Sequence, residues 1–107
     1  MDHEGNLDHV VAFAQYVARC ILSATNAFDQ NGREDYAYWQ TQDRKTLRRI
    51  NQLLTDSLRD PFAGIGKPEP LKHILSGAWS RRIDDANRLV YCVTDDYIVI
   101  LQARGPY

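Results

Sequence analysis

Residues 71–104 read LKHILSGAWSRRIDDANRLVYCVTDDYIVILQAR, and in them the apolar positions follow a period of two. Four runs, 71–75, 78–84, 87–94 and 97–104, are rich in Val, Ile, Tyr and Trp and are joined by tight turns, which predicts an antiparallel meander. Upstream the period changes. Leu47, Ile50, Leu54 and Leu58 recur at three- and four-residue spacing over 43–60, and Pro61 ends the run, so a helix is expected there. A shorter helix is expected over 34–40, with Tyr36 and Trp39 on one side. Before it come a strand over 24–28 and a turn and helix start at Asp29-Gln30-Asn31-Gly32. Gly64, Gly66, Pro68 and Pro70 mark 62–70 as a loop. Two helices and then a meander give the α+β class, with both helices packed on one side of a twisted, mainly antiparallel sheet. The first strand joins that sheet at an edge or in the middle, and the pattern does not choose between them.

A chain of 107 residues forms one domain, with 44% apolar and 25% charged residues, as in ordinary soluble proteins. The net charge of −1 hides an asymmetry. Residues 1–23 set Asp2, Glu4 and Asp8 against Arg19, so residues 24–107 carry a small positive excess. That excess is too small for a general nucleic-acid binder, and any RNA affinity has to come from local clustering. Val10, Phe13, Ala14, Val17 and Ile21 have helical spacing, which suggests an extra N-terminal helix. Gln15, Tyr16 and Arg19 interrupt that stretch and acids precede it, against both a membrane span and a signal peptide. Cys20 and Cys92 form no metal-ligand or redox pair and are expected to stay reduced, in keeping with a cytoplasmic protein.

Several chemistries fall away on residue types. Gly64-Ile65-Gly66-Lys67 is followed by Pro68, where a phosphate-binding loop needs Ser or Thr and a helix. His3, His9 and His73 lack ligand spacing, so no metal site and no cofactor are expected. What remains is a basic group with one unusual carboxylate. In Lys67-Pro68-Glu69-Pro70-Leu71-Lys72 the two prolines hold their neighbours extended and set Glu69 on a stiff stalk at a strand's entry. Arg81, Arg82 and Arg88 follow on the next hairpin. A three-residue turn at Asp84-Asp85-Ala86 would oppose Arg82 to Arg88 on one face, and a two-residue turn would separate them. Arginines that share a face commonly await an anion. Arg81 would then point away from Arg82 and is read as having no role in the site. The face of the long helix carrying Arg44, Lys45, Arg48 and Arg49 is by itself most often only a solvated face.

Asp35-Tyr36-Ala37-Tyr38-Trp39, Asp60-Pro61-Phe62, the GKPEPLK string of 66–72, Leu75-Ser76-Gly77, Trp79-Ser80-Arg81-Arg82-Ile83 and Asn87-Arg88-Leu89-Val90-Tyr91 together resemble the YoeB toxins. These belong to the RelE/ParE superfamily of bacterial toxin–antitoxin systems. The likeness covers residues 24–107 as one toxin domain and leaves 1–23 as an extension. It implies a RelE/ParE-like fold and a metal-independent endoribonuclease that enters the ribosomal A site and cuts mRNA there. It also implies a YefM-type antitoxin that wraps the toxin, no membrane partner, and a homodimer as a family expectation. Carried across by motif, Glu69 matches the general base for the ribose 2′-hydroxyl and Arg88 the group that stabilises the phosphorane. Arg82 and Lys72 match supporting phosphate contacts, and Arg48 and Arg49 add an RNA-binding expectation on the basic helix.

The end of the chain departs from the family pattern. Such toxins typically finish Arg-Tyr-His-Tyr, where the histidine protonates the leaving 5′-oxygen, and here Arg104-Gly105-Pro106-Tyr107 stands instead. Proline has no proton to give, and losing a general acid typically costs on the order of 10²–10⁴ in rate. Tyr107 keeps a phenol among the expected catalytic groups, although phenols ordinarily titrate near pH ~10 and are poor acids for this task. His73 is a poor substitute, because alternation points it opposite to Lys72. Residues 1–23 read either as an added helix or as the result of an upstream start, and Met1 is the only methionine. Three function classes follow: an mRNA interferase, full or attenuated; a weakly catalytic homologue that binds antitoxin and ribosome; and a ParE-like gyrase poison, which the Glu69 motif argues against.

Overall fold

A computed structural model describes residues 25–72 and 77–106, so the stretch where an N-terminal helix was expected, Cys20, His73 and Tyr107 lie outside the described residues. Strand β1 (Thr25–Phe28) leads into helix α1 (Gln30–Gln42) and helix α2 (Arg44–Arg59). Strands β2 (Glu69–Leu71), β3 (Ala78–Arg82), β4 (Arg88–Val93) and β5 (Tyr97–Gln102) complete a five-stranded sheet in the order β1-β5-β4-β3-β2. The α+β expectation therefore holds: β2 to β5 form the antiparallel meander, and β1 joins at an edge, parallel to β5.

The two helices meet end to end through one aspartate. Asp43 closes α1 with its backbone N–H and opens α2 by accepting from the amides of Lys45 and Thr46. Asp43 thus answers N–H groups that a helix start leaves without partners. Helix α1 begins at Gln30, because Asp29 is its N-cap and accepts from Gly32 N–H at 2.8 Å. The helix start expected at Asp29-Gln30-Asn31-Gly32 is thus borne out, and the helix runs unbroken from there into the stretch expected over 34–40. Gly32 is there for clearance, since a Cβ would run into the Ile100 carbonyl of β5. Strand β2 also begins earlier than expected, at Glu69 rather than Leu71. Pro70 is tolerated inside it because β2 is an edge strand, where a missing N–H can face solvent.

Ile50, Leu53 and Leu54 of α2 pack against Leu89, Tyr91, Ile98 and Ile100, with Trp39 and Trp79 at the margin. This core lies wholly on one side of the sheet. The opposite face carries Leu71, Ala78 and Val90 as a second apolar cluster, with Cys92 (a free thiol) and Leu101 against it. Alternation along each strand therefore sorts every residue of the meander to the helix side or to the opposite face.

Replacing Gly32 by Ala should lower stability by about 1–3 kcal/mol, the usual cost of overpacking against a fixed backbone. Urea denaturation checks this, and an unchanged midpoint would contradict the close approach of α1 to β5.

Candidate active site

Register places the candidate groups. Arg82 stands directly opposite Arg88 across β3 and β4, and Glu69 opposes Ser80 across β2 and β3. The turn carries the three residues 84–86, closed by the Ile83 N–H to the Asn87 carbonyl at 3.0 Å and by Asp84, which accepts from the amides of Ala86 and Asn87. Because Glu69, Ser80, Arg82 and Arg88 share parity with Leu71, Ala78 and Val90, all four leave the sheet on the face away from the helices. One carboxylate and two guanidinium groups thus share a face. Arg82 also approaches the exposed Asp85 at 3.6 Å, a contact weak enough to yield to a bound anion. Lys72 is exposed one residue past β2 and is not part of this register.

The chain on either side of the site is fastened. Arg81, the neighbour of Arg82, points to the helix side and is 0% exposed. Its guanidinium donates to Asp56 Oδ2 at 2.6 Å, to Tyr91 Oη at 3.0 Å, and to the carbonyls of Asp60, Ala63 and Ile65. The Tyr91 hydroxyl in turn donates to the Pro61 carbonyl at 2.6 Å. Burial pushes the Tyr91 phenol up from its ordinary value, so it stays a proton donor at neutral pH. Arg59 and Arg81 together hold Asp56 far below the usual carboxylate range. Gly64 lets the loop lie on this cluster, since a Cβ there would strike Asp56 and Arg59. Phe62 packs on Trp79 with ring centroids 4.8 Å apart, and the Arg82 amide donates to the Gly66 carbonyl at 2.6 Å. Lys67 then turns through φ 50°, and Pro68 leads into Glu69. Most of the path from the end of α2 to Gly66 is therefore anchored to α2, β3 or β4.

The C-terminal segment is brought to the same corner. Trp39 Nε1 donates to the Ala103 carbonyl at 2.8 Å and the Ala103 amide donates to Asp35 at 3.0 Å. Arg104 stacks over Tyr38 at 4.0 Å. The Arg88 amide donates to the Gly105 carbonyl, the Gly105 amide to Asn87 Oδ1, and the Gln102 side chain to the carbonyls of Gly105 and Pro106. Pro106 is thereby held beside the strand that carries Arg88. The other two expected RNA contacts lie elsewhere. Arg49 is half-buried and donates to the Arg82 carbonyl at 3.2 Å. Arg48 is exposed and lines a groove of about 440 Å³ with Asn51, Thr55, Arg59 and Ile65, on the helix side.

Asp56 and Tyr91 anchor the chain beside the candidate site, and local sequence pattern assigns neither of them that part. Alternation with Leu89 was the available signal for Tyr91. Nothing in linear order links Asp56 to Arg81, 25 residues away.

The fold is that of solved bacterial toxins. A structure described as the YoeB dimer from Staphylococcus aureus superposes with a TM-score of 0.73 at 42% identity, covering 78% of this chain and 98% of that one. A YoeB-YefM complex from the same organism gives 0.72 at 41% identity, with 78% and 98% covered. In sequence, Toxin YoeB of Streptomyces coelicolor is 61% identical over 80 residues, spanning 75% of this chain and 95% of its own length. Residues 28–107 match the family described as YoeB-like toxin of bacterial type II toxin-antitoxin system, and the chain belongs to that family.

Arg81→Met should destabilise the chain by about 3–5 kcal/mol, because Asp56 and three loop carbonyls lose their donor at once. Stability should also depend on acid. The depressed folded pKa of Asp56 contributes stability above its unfolded pKa of about 3.9, and this is lost as pH falls below that value. Denaturation midpoints at pH 6 and pH 2.5, with Asp56→Asn for comparison, check the sign. A variant that loses as much stability on acidification as the unaltered chain would contradict it.

Proposed function

We propose that this chain is a toxin that cuts ribosome-bound mRNA by attack of a ribose 2′-oxygen on the adjacent phosphate. The observation that carries this reading is the placement of Glu69 on the face where Arg82 and Arg88 directly oppose each other. Such a reaction needs a base for the 2′-hydroxyl, positive charge for the phosphorane and a proton for the departing 5′-oxygen. Glu69 takes the first task. Arg88, fixed through its backbone to the C-terminal segment, takes the second, and Arg82 meets the phosphate beside it. Planar guanidinium groups suit a phosphate with two oxygens to grip. Lys72 contacts the backbone further along the strand, and Arg48 offers an outer contact on the helix side. Arg49 supports Arg82 through its carbonyl. No step calls on a metal or cofactor. The products are a cyclic phosphate and a 5′-hydroxyl.

The partners follow from the relatives. The Staphylococcus aureus protein is described in complex with YefM and as a dimer, and a YefM-type antitoxin and a homodimer are proposed here on that basis. Work in the ribosomal A site would place the protein in the cytoplasm.

The C-terminal segment supports a second reading. Pro106 is tied into the Arg88 corner and carries no proton to donate, so the third task falls to water or to the Tyr107 phenol. On this reading the chain still binds antitoxin and ribosome but cleaves slowly.

Ribosome-programmed mRNA cleavage by the unaltered chain, Glu69→Gln, Arg88→Ala and Pro106→His tests both. Loss of at least ~10²-fold is expected in the first two variants. A gain of about tenfold or more is expected in Pro106→His. Full activity in Glu69→Gln would end the first reading, and no gain in Pro106→His would show that the missing acid does not limit the rate.

A further inference from the structure

Among the described residues, the face that carries Glu69 also carries two buried polar atoms without a hydrogen-bond partner, Ser80 Oγ and Arg82 Nε. They sit two residues apart on β3, so both side chains leave the sheet on the same side. Ser80 is 0% exposed. Two of the described residues beside it are apolar: Ala78 lies two residues before it on the same face, and Val90 opposes it on β4. A buried hydroxyl with no partner is unfavourable, and an alanine would fill this place without that penalty. Packing therefore gives no reason for a serine here.

Its neighbours on this face are few. Val90 and Ala78 have no polar side-chain atom, and Arg82 can only donate. Glu69, directly across on β2, is the one neighbour in this register whose side chain can accept the Ser80 proton. We propose that Ser80 is a positioning residue for Glu69, donating its hydroxyl to one carboxylate oxygen in the substrate-bound state and leaving the other to face the 2′-hydroxyl. The proposal rests on the reading of Glu69 as the general base.

Directly opposed residues of antiparallel strands have Cβ atoms about 4.5–5.5 Å apart, a gap that a serine hydroxyl and a glutamate carboxylate can close with one hydrogen bond. Ser80 has no exposed surface, so it does not grip the phosphate itself, and its effect has to pass through a neighbour. A base acts well only when one oxygen is held on the line of the proton it removes. A hydrogen bond to the other oxygen limits rotation of the carboxylate away from that line. Arg82 and Arg88, on the same face, then meet the phosphate while the carboxylate is held short of them.

The test compares Ser80→Ala, Glu69→Gln and the double variant of the full chain in single-turnover cleavage of ribosome-bound mRNA, with thermal denaturation of each. Ser80→Ala is expected to slow the maximal rate about tenfold, the scale of one charge-assisted hydrogen bond. Half-saturation by the programmed ribosome should stay unchanged, and the melting temperature should stay level or rise. In the Glu69→Gln background the serine substitution should cost nothing further, because its effect runs through the carboxylate. A normal rate in Ser80→Ala beside a lost rate in Glu69→Gln overturns the positioning role alone. So does a lowered melting temperature with weakened binding, or an additive loss in the double variant. An unchanged rate in Glu69→Gln, or no cleavage by the unaltered chain, overturns the base assignment and this proposal with it.

Discussion

Arg81 places a full positive charge where solvent does not reach it, and the chain leading to Glu69 is arranged around satisfying that charge. Four oxygens from the end of α2 and the following loop converge on one guanidinium, joined by the Tyr91 hydroxyl from the neighbouring strand. A buried ion pair is weak evidence of net stability, since desolvation offsets much of the attraction. Its consequence here is geometric. The carbonyls of a surface loop would otherwise be content with water and many conformations. Tied to Arg81, the loop has one path, and that path ends at Glu69.

Adjacent arginines on β3 thus have opposite fates. Arg81 turns inward and locks the loop, whereas Arg82 turns outward and faces Arg88. The same alternation sets Tyr91 to hold the loop and its neighbour Val90 to flank Ser80. One side of the sheet supplies rigidity and the other carries the candidate catalytic groups, with a single backbone fixing the distance between them. The C-terminal segment obeys the same logic. Trp39 and Asp35 of α1 grip residue 103, and Asn87, Gln102 and the Arg88 amide then set Gly105 and Pro106 at the corner of the candidate face.

Much of this was legible where local pattern carried it. The 3.6-residue period and Pro61 located α2, with Asp43 and Asp60 as its caps. Alternation set Arg81 on the opposite side of β3 from Arg82, but whether Arg82 met Arg88 hung on the length of the turn, which the structure fixes at the three residues 84–86. What linear order concealed was long-range. Arg81 in a strand reads as an exposed charge until Asp56 and the loop carbonyls are seen around it. The reason for Gly32 inside the first turn of α1 is equally hidden, because the need for a small residue there comes from the Ile100 carbonyl on a distant strand. The early start of β2 was hidden by Pro70, which breaks a central strand but not an edge. Ser80 gave no signal, because a serine in a strand is ordinary until its hydroxyl is found buried and unanswered.

The central claim is that this face performs a 2′-oxygen attack with protein side chains alone. The most direct measurement is the chemistry of the new ends when the chain acts on ribosome-bound mRNA whose cut fragments are recovered. The account predicts a 2′,3′-cyclic phosphate on the upstream fragment and a 5′-hydroxyl on the downstream one. A 3′-hydroxyl with a 5′-phosphate would require water as the nucleophile and would contradict it.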